Sequence, residues 1–155
     1  MQQFAIRMAT LADIKTLLSF EQEIIRAERP FDETLDVDPI SYYDLKQLVL
    51  SDEATVMVAE VGHNIIGSGY GLIRDAKPYL DHKKYTYLGF MYTDPDHRGK
   101  GVNKAIVDAL VQWSKSKGIY EVRLTVYNDN LPAIRAYEKV GFKKHIVEMR
   151  VNVDR

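Results

Sequence analysis

The chemistry-bearing stretch of this chain is Met91-Tyr92-Thr93-Asp94-Pro95-Asp96-His97-Arg98-Gly99-Lys100-Gly101-Val102-Asn103. An apolar run ends there and turns at Asp94-Pro95. Two glycines and two cations then lead into an amphipathic pattern. The backbone N–H groups at a helix start have no intrahelical partner, and the helix dipole favours an anion there. Gly99 and Gly101 carry no Cβ to hold a phosphate off those groups. The spacing excludes two common phosphate motifs. A P-loop needs four residues between its glycines and a following Lys-Ser or Lys-Thr. A dinucleotide fingerprint needs a third glycine where Lys104 stands.

Other reactive side chains are sparse or scattered. The chain has no cysteine, which excludes disulfides, thiolate nucleophiles and cysteine-ligated zinc. Its histidines, His63, His82, His97 and His145, share no element at metal-ligand spacing, so no metal is expected. No serine sits in a nucleophile-elbow sequence. Carboxylates crowd the stretch from Glu28 to Asp44, with Asp32, Glu33, Asp36 and Asp38 between and Arg29 to counter them. Two readings fit: a solvated loop, or a wall whose field gathers a cationic substrate.

The elements that must position these groups can be read from periodicity. Phe4 to Met8 alternates as a short edge strand. Thr10 and Asp13 stand at capping-box spacing before Leu11, Ile14, Leu17, Leu18, Glu21 and Ile25, a helix that must stop before Pro30. Asp38-Pro39 reads as an N-cap with proline at N1, predicting a second helix over 39–50. Residues 55–61 and 65–73 form a hairpin about Gly62-His63-Asn64. Gly67, Gly69 and Gly71 in its second arm suit close approach of another element. Residues 74–83 read as a polar loop and 84–93 as a tyrosine-rich strand. On a regular pleat, Tyr85, Tyr87, Gly89 and Met91 share a face. A helix over 100–117 follows, with a stripe of Val102, Ile106, Ala109, Leu110 and Trp113 and Gly118 as C-cap. A strand over 121–127, a helix from Leu131-Pro132 to Val140-Gly141, and closing strands over 142–153 complete the order. The unit from Tyr85 to Tyr127 is strand–helix–strand, which implies a parallel pair. The expected fold is α/β (α+β): a mixed, mostly antiparallel sheet with helices on both faces, in a single domain over 1–155.

Composition fits that picture. Hydrophobic residues make up 46% and charged residues 28% of 155, enough for one substantial core. A net charge of −1 does not advertise a nucleic-acid partner. No apolar run approaches the roughly 20 residues of a membrane span, and no signal-peptide core opens the chain. The expectation is a cytoplasmic protein, monomeric or homodimeric.

Arg98-Gly99-Lys100-Gly101-Val102-Asn103 resembles the pyrophosphate motif of the GNAT superfamily of acyl-CoA-dependent N-acyltransferases: Gln or Arg, two residues, Gly, one residue, then Gly or Ala. Arg98 and Gly101 match, while Asn103 stands where a small residue is usual. Asn130-Leu131-Pro132-Ala133-Ile134-Arg135-Ala136-Tyr137, followed by Gly141-Phe142, is similar to the family's second signature at matching intervals. The resemblance covers essentially the whole chain.

It implies acetyl-CoA as co-substrate and a splayed pair of parallel strands around the pantetheine. The backbone of Phe90, Met91, Tyr92 and Thr93 would pair with the pantetheine. The amides of Arg98, Gly99, Lys100, Gly101, Val102 and Asn103 would hold the pyrophosphate, and Asn130 the pantetheine or the splay. A backbone N–H near Met91 or Tyr92, at a bulge, would stabilise the oxyanion, and Tyr137 would protonate the leaving thiolate. Tyr87 stands near the position where some relatives place a basic Glu, and Glu28 or a nearby carboxylate could act through water instead. The acceptor would be a primary amine on a small molecule or peptide, cationic if Glu28, Asp32, Glu33 and Asp36 build its site. The rival expectation is a non-catalytic acyl-CoA sensor with a protein partner.

Overall fold

A computed structural model of the chain describes residues 3–154. The chain divides into two compact units at Thr125/Val126. The first holds a five-stranded sheet in the order β1-β2-β3-β4-β5. The strands are β1 (Ala5–Met8), β2 (Ala54–Val61), β3 (Asn64–Asp75), β4 (Lys84–Thr93) and β5 (Val122–Arg123). The first four pair antiparallel, and β4 pairs with β5 in parallel. The mixed, mostly antiparallel sheet is the expected one, with β1 on its edge.

Helix α1 (Ile14–Glu28) follows a 3-10 turn whose start is capped as the sequence predicts: the Thr10 N–H donates to Asp13 Oδ2 at 2.8 Å. Asp13 also takes the Arg7 guanidinium, which Glu60 shares. The α-helical run stops at Glu28, and Pro30 falls in a following 3-10 turn.

Helix α2 spans only Leu45–Leu50, so the expected start at Pro39 is wrong. The cause is Glu21, a carboxylate 1% exposed inside α1. Its Oε2 accepts the N–H groups of Tyr42 and Tyr43 at 2.9 and 2.8 Å. Those two amides are thereby held out of a helical ladder. Asp44 caps α2 instead, accepting the Gln47 N–H at 3.1 Å.

Helix α3 (Val102–Ser116) covers one sheet face, and α1 and α2 cover the other. The alternate glycines of β3 face α3, where a Cβ at Gly69 would stand 2.6 Å from Met91 Sδ and 2.8 Å from Ile106 Cγ2. The buried stripe of α3 is Val102, Ile106, Leu110 and Ser114, with Val107. Ala109 and Trp113 lie at its margin. Ser114 tolerates burial because its hydroxyl bonds both Thr86 Oγ1 and the Ile119 carbonyl at 2.7 Å.

The second unit contains α4 (Leu131–Lys139), entered through Asn130, whose Oδ1 accepts the Ala133 N–H at 3.3 Å. Tyr137 and Phe142 meet edge to face, ring centroids 5.9 Å apart. Residues 142–153 form no strand, contrary to expectation. Among the described residues of this unit none is assigned to a strand, and strands form by pairing.

Candidate functional site

The site is built on the carboxyl-terminal half of β4. On β3, Ser68 pairs with Tyr92 and Tyr70 pairs with Gly89. Gly69 alone therefore opposes Phe90 and Met91, which is a β-bulge. Phe90 sits there at φ 57°, a left-handed conformation that costs a non-glycine residue energy. Burial holds it: the ring is 2% exposed, and the Phe90 carbonyl accepts the buried Ser68 hydroxyl at 3.1 Å.

The bulge corrects the regular-pleat reading. Tyr85, Tyr87 and Gly89 share the α1/α2 face, but Met91 crosses to the α3 face against Gly69. Phe90 and Tyr92 take its place. Tyr92 stacks on Phe20 with centroids 4.4 Å apart. An extra residue in one strand shifts its alternation by one, and a single sequence gives no period-2 signal for that.

Past the bulge, Asp94 accepts the Asp96 N–H at 2.9 Å and shapes a 3-10 turn over Pro95–His97. Arg98 reaches back so that its Nε donates to the Thr93 carbonyl at 3.3 Å. His97 tucks Nδ1 inward, 3.7 Å from Asp94 Oδ1. Gly99 and Gly101 both take positive φ, 76° and 83°, and a Cβ on either would meet no atom within 4 Å. Open space thus stands over the turn where a phosphate would need it, and residues 98–101 are exposed. Val102, 2% exposed, anchors the helix start beneath. Lys104 pairs with Asp108 at 2.8 Å along the helix, while Lys100 stays exposed in the turn.

Parallel pairing of β4 with β5 covers only Thr86↔Val122 and Tyr87↔Arg123. Directly beyond it, Tyr87 Oη and Thr125 Oγ1 lie 2.7 Å apart. The Arg74 guanidinium stacks on the Tyr87 ring, 4.0 Å from its centroid. Arg74 was expected in a loop but lies within β3, opposite Tyr85.

An aromatic row continues from Tyr87 across the α1/α2 face. Tyr70 lies 6.4 Å from Tyr87, and Tyr43 packs edge-on against Tyr70 and Phe90 at 5.4 and 5.3 Å. Burial pushes the Tyr43 phenol well above its ordinary range, and Tyr70 and Glu28 nearby push it further. Glu28 closes the row at the end of α1. Burial raises its carboxyl pKa, a hydrogen bond from Tyr42 opposes that rise, and Asp32 adds to it.

Two of the other carboxylates expected at an acceptor site serve their own loop. Asp32 accepts the Thr34 N–H at 2.9 Å, and Asp36 that of Val37 at 2.8 Å. Arg29 binds Asp38 and the Asp36 carbonyl. Glu33 is exposed. The structure thus brings Glu28 to the tyrosine row. Tyr43, Tyr70 and Arg74 were absent from the sequence reading, although Arg74 falls two residues after Leu72 in the alternation that continues β3. An open depression of about 490 Å³, lined by Ile14, Leu18 and residues 41–46, adjoins the row through Tyr42 and Tyr43. Among the described residues, no group of three or more His, Asp or Glu is placed to hold a metal, and no helix is long and apolar enough to cross a membrane.

Comparison with known proteins agrees with this arrangement. The acetyltransferase (GNAT) family model matches residues 17–142. Human N-acetyltransferase 8B is 34% identical over 87 residues, 56% of this chain and 37% of that protein. The glucosamine 6-phosphate N-acetyltransferase of Trypanosoma brucei brucei is 42% identical over 60 residues, 39% of each chain. The chain thus matches between a third and two fifths of these two relatives' lengths. A predicted acetyltransferase from Clostridium acetobutylicum, solved with acetyl-CoA, superposes with TM-score 0.73 over 97% of both chains at 22% identity. The bulged strand, the glycine turn and the family match converge: this chain belongs to the GNAT acetyltransferase family.

Proposed function

We propose that the chain is a single-domain N-acetyltransferase that moves an acetyl group from acetyl-CoA to a primary amine. The observation that carries this reading is the continuity of β4's bulge with the glycine turn, which puts the backbone proposed to meet the thioester and that proposed to meet the pyrophosphate on one stretch of chain. The N–H groups of residues 98–103 hold the pyrophosphate, with Lys100 adding charge. The backbone of residues 90–93 pairs with the pantetheine, and Asn130 helps hold it.

The neutral amine attacks the thioester carbonyl. A C–N bond forms, the oxyanion is held by the N–H of Met91 or Tyr92, and the C–S bond then breaks. Tyr137 gives its proton to the departing thiolate. A phenol pKa of about 10 suits that transfer. The amine's proton passes to Glu28, through water, rather than to Tyr87, whose hydroxyl is bonded to Thr125. Burial already biases Glu28 toward holding a proton nearer neutrality. The same carboxylate, with the acidic 32–36 stretch around it, favours an acceptor that arrives as a cation. Amines are also the acceptors named for relatives, among them glucosamine 6-phosphate.

Thiol release from acetyl-CoA, followed across a panel of primary amines, tests this. Amine-dependent release supports it. Acetyl-CoA binding with no release on any amine would point to the non-catalytic sensor instead.

A further inference from the structure

Six arginines of the first unit can be compared by what their guanidinium groups bond. Arg7 holds Asp13 and Glu60, Arg26 holds Glu23, and Arg29 holds Asp38. Arg98 donates to the Thr93 carbonyl, and Arg123 donates to Glu121 and meets His82. Arg74 differs: among the described residues it has no acceptor, although it is exposed and sits beside a carboxylate in sequence. Asp75 is taken by Lys84 at 2.8 Å.

Arg74 is nevertheless held in place. Its guanidinium lies 4.0 Å over the Tyr87 ring, and that ring is fixed in turn by the bond from Tyr87 Oη to Thr125. It is also near enough to Tyr70 to pull that phenol's pKa downward against burial. The ring contact holds the guanidinium, and its N–H groups, with no acceptor among the described residues, can bind an oxyanion through two parallel hydrogen bonds. The group therefore stands on the α1/α2 face, at the end of the tyrosine row opposite Glu28.

We propose that Arg74 is a specificity-determining residue that binds an oxyanion, carboxylate or phosphate, on the acceptor amine. This deepens the function proposed above and rests on it. The site then reads both ends of its acceptor: the ammonium by Glu28, the anionic tail by Arg74. Tyr70 and Tyr43 lie between Tyr87 and Glu28 on the row, so an acceptor that reaches both charged groups must be several bonds longer than an α-amino acid.

Matched acceptors test this: pentylamine, 6-aminohexanoate, 6-aminohexyl phosphate and glycine, each with the native protein, Arg74→Ala and Arg74→Lys. The native protein should prefer the two long anionic amines to pentylamine and to glycine, and the ratio of carboxylate to phosphate identifies the oxyanion. Arg74→Ala should lower the kcat/KM ratio of 6-aminohexanoate over pentylamine by about ten- to hundredfold, through KM. Arg74→Lys should restore part of it, because charge returns without the paired donors. Calorimetric binding of 6-aminohexanoate to the CoA-loaded protein supplies a readout without turnover. A native preference for pentylamine, or acid-tailed binding unchanged in Arg74→Ala, overturns the inference while leaving acetyl transfer standing. Arg74-dependent binding without thiol release on any amine overturns the catalytic reading and keeps the inference.

Discussion

Tyr87 Oη and Thr125 Oγ1 meet at 2.7 Å just past the last parallel pair of β4 and β5, Tyr87↔Arg123. One side-chain bond closes the ladder at the point where its backbone bonds end. The same Tyr87 ring carries Arg74 on its face. Tyr87 thus links the end of strand pairing to the proposed acceptor face, which makes it a positioning residue better than a base.

A double-mutant cycle should detect that bond. Tyr87→Phe and Thr125→Val each remove one hydroxyl and little volume. Their coupling in urea denaturation should be about 0.5–1.5 kcal/mol. Additive effects would mean that the hydroxyls contribute separately, through solvent.

Tyr137→Phe should lower kcat about 100-fold or more, the scale of a lost general acid, with acetyl-CoA affinity nearly unchanged. Steady-state kinetics beside calorimetry of acetyl-CoA separates the two. Normal turnover would remove Tyr137 from the proton path and leave its contact with Phe142 as its role.

The sequence was legible where periodicity or glycine spacing carries the signal. The β2–β3 hairpin, β4, α3 and the glycine turn fall within a few residues of expectation. It was illegible where one distant side chain decides. Nothing local to residues 39–44 announces that Glu21, about twenty positions earlier, binds their amides. The bulge was expected near Met91 or Tyr92 only through the family resemblance, because the apolar and aromatic residues around Phe90 suit either face and give no local signal. Arg74 was lost for a related reason: Asp75 and the polar residues beyond it hide the end of β3.

Glu21 should matter more to stability than any other carboxylate of α1. Glu21→Leu keeps the volume and leaves the Tyr42 and Tyr43 N–H groups, which are part-buried, without their acceptor. Each orphaned donor costs about 1–3 kcal/mol, so a loss of about 2–6 kcal/mol is expected. Urea denaturation measures it. The acceptor KM should rise in parallel, because Tyr43 then loses its fixed position between Tyr70 and Phe90. A thermal midpoint within a degree of the native protein would show that the segment finds other partners.

Glu28 gives a prediction whose sign differs between stability and activity. Its folded pKa is raised above the ordinary 4.5, chiefly by burial. The folded state therefore binds that proton more tightly than the unfolded state. The stabilising contribution is complete below the unfolded value and is lost as pH rises through the folded one. Glu28→Gln, which stays neutral, should match the native protein in stability at low pH and exceed it near neutrality. Activity runs the other way. If Glu28 takes the amine's proton, native kcat/KM rises with pH along a limb above the usual glutamate range, and Glu28→Gln loses that limb and sits well below the native plateau. Thermal midpoints and kcat/KM measured from pH 4 to 9 on both proteins supply the comparison. A limb unchanged in Glu28→Gln would assign the base elsewhere on the tyrosine row, and a lower midpoint at neutral pH would mean that the carboxylate is stabilised by its Tyr42 bond more than burial penalises it.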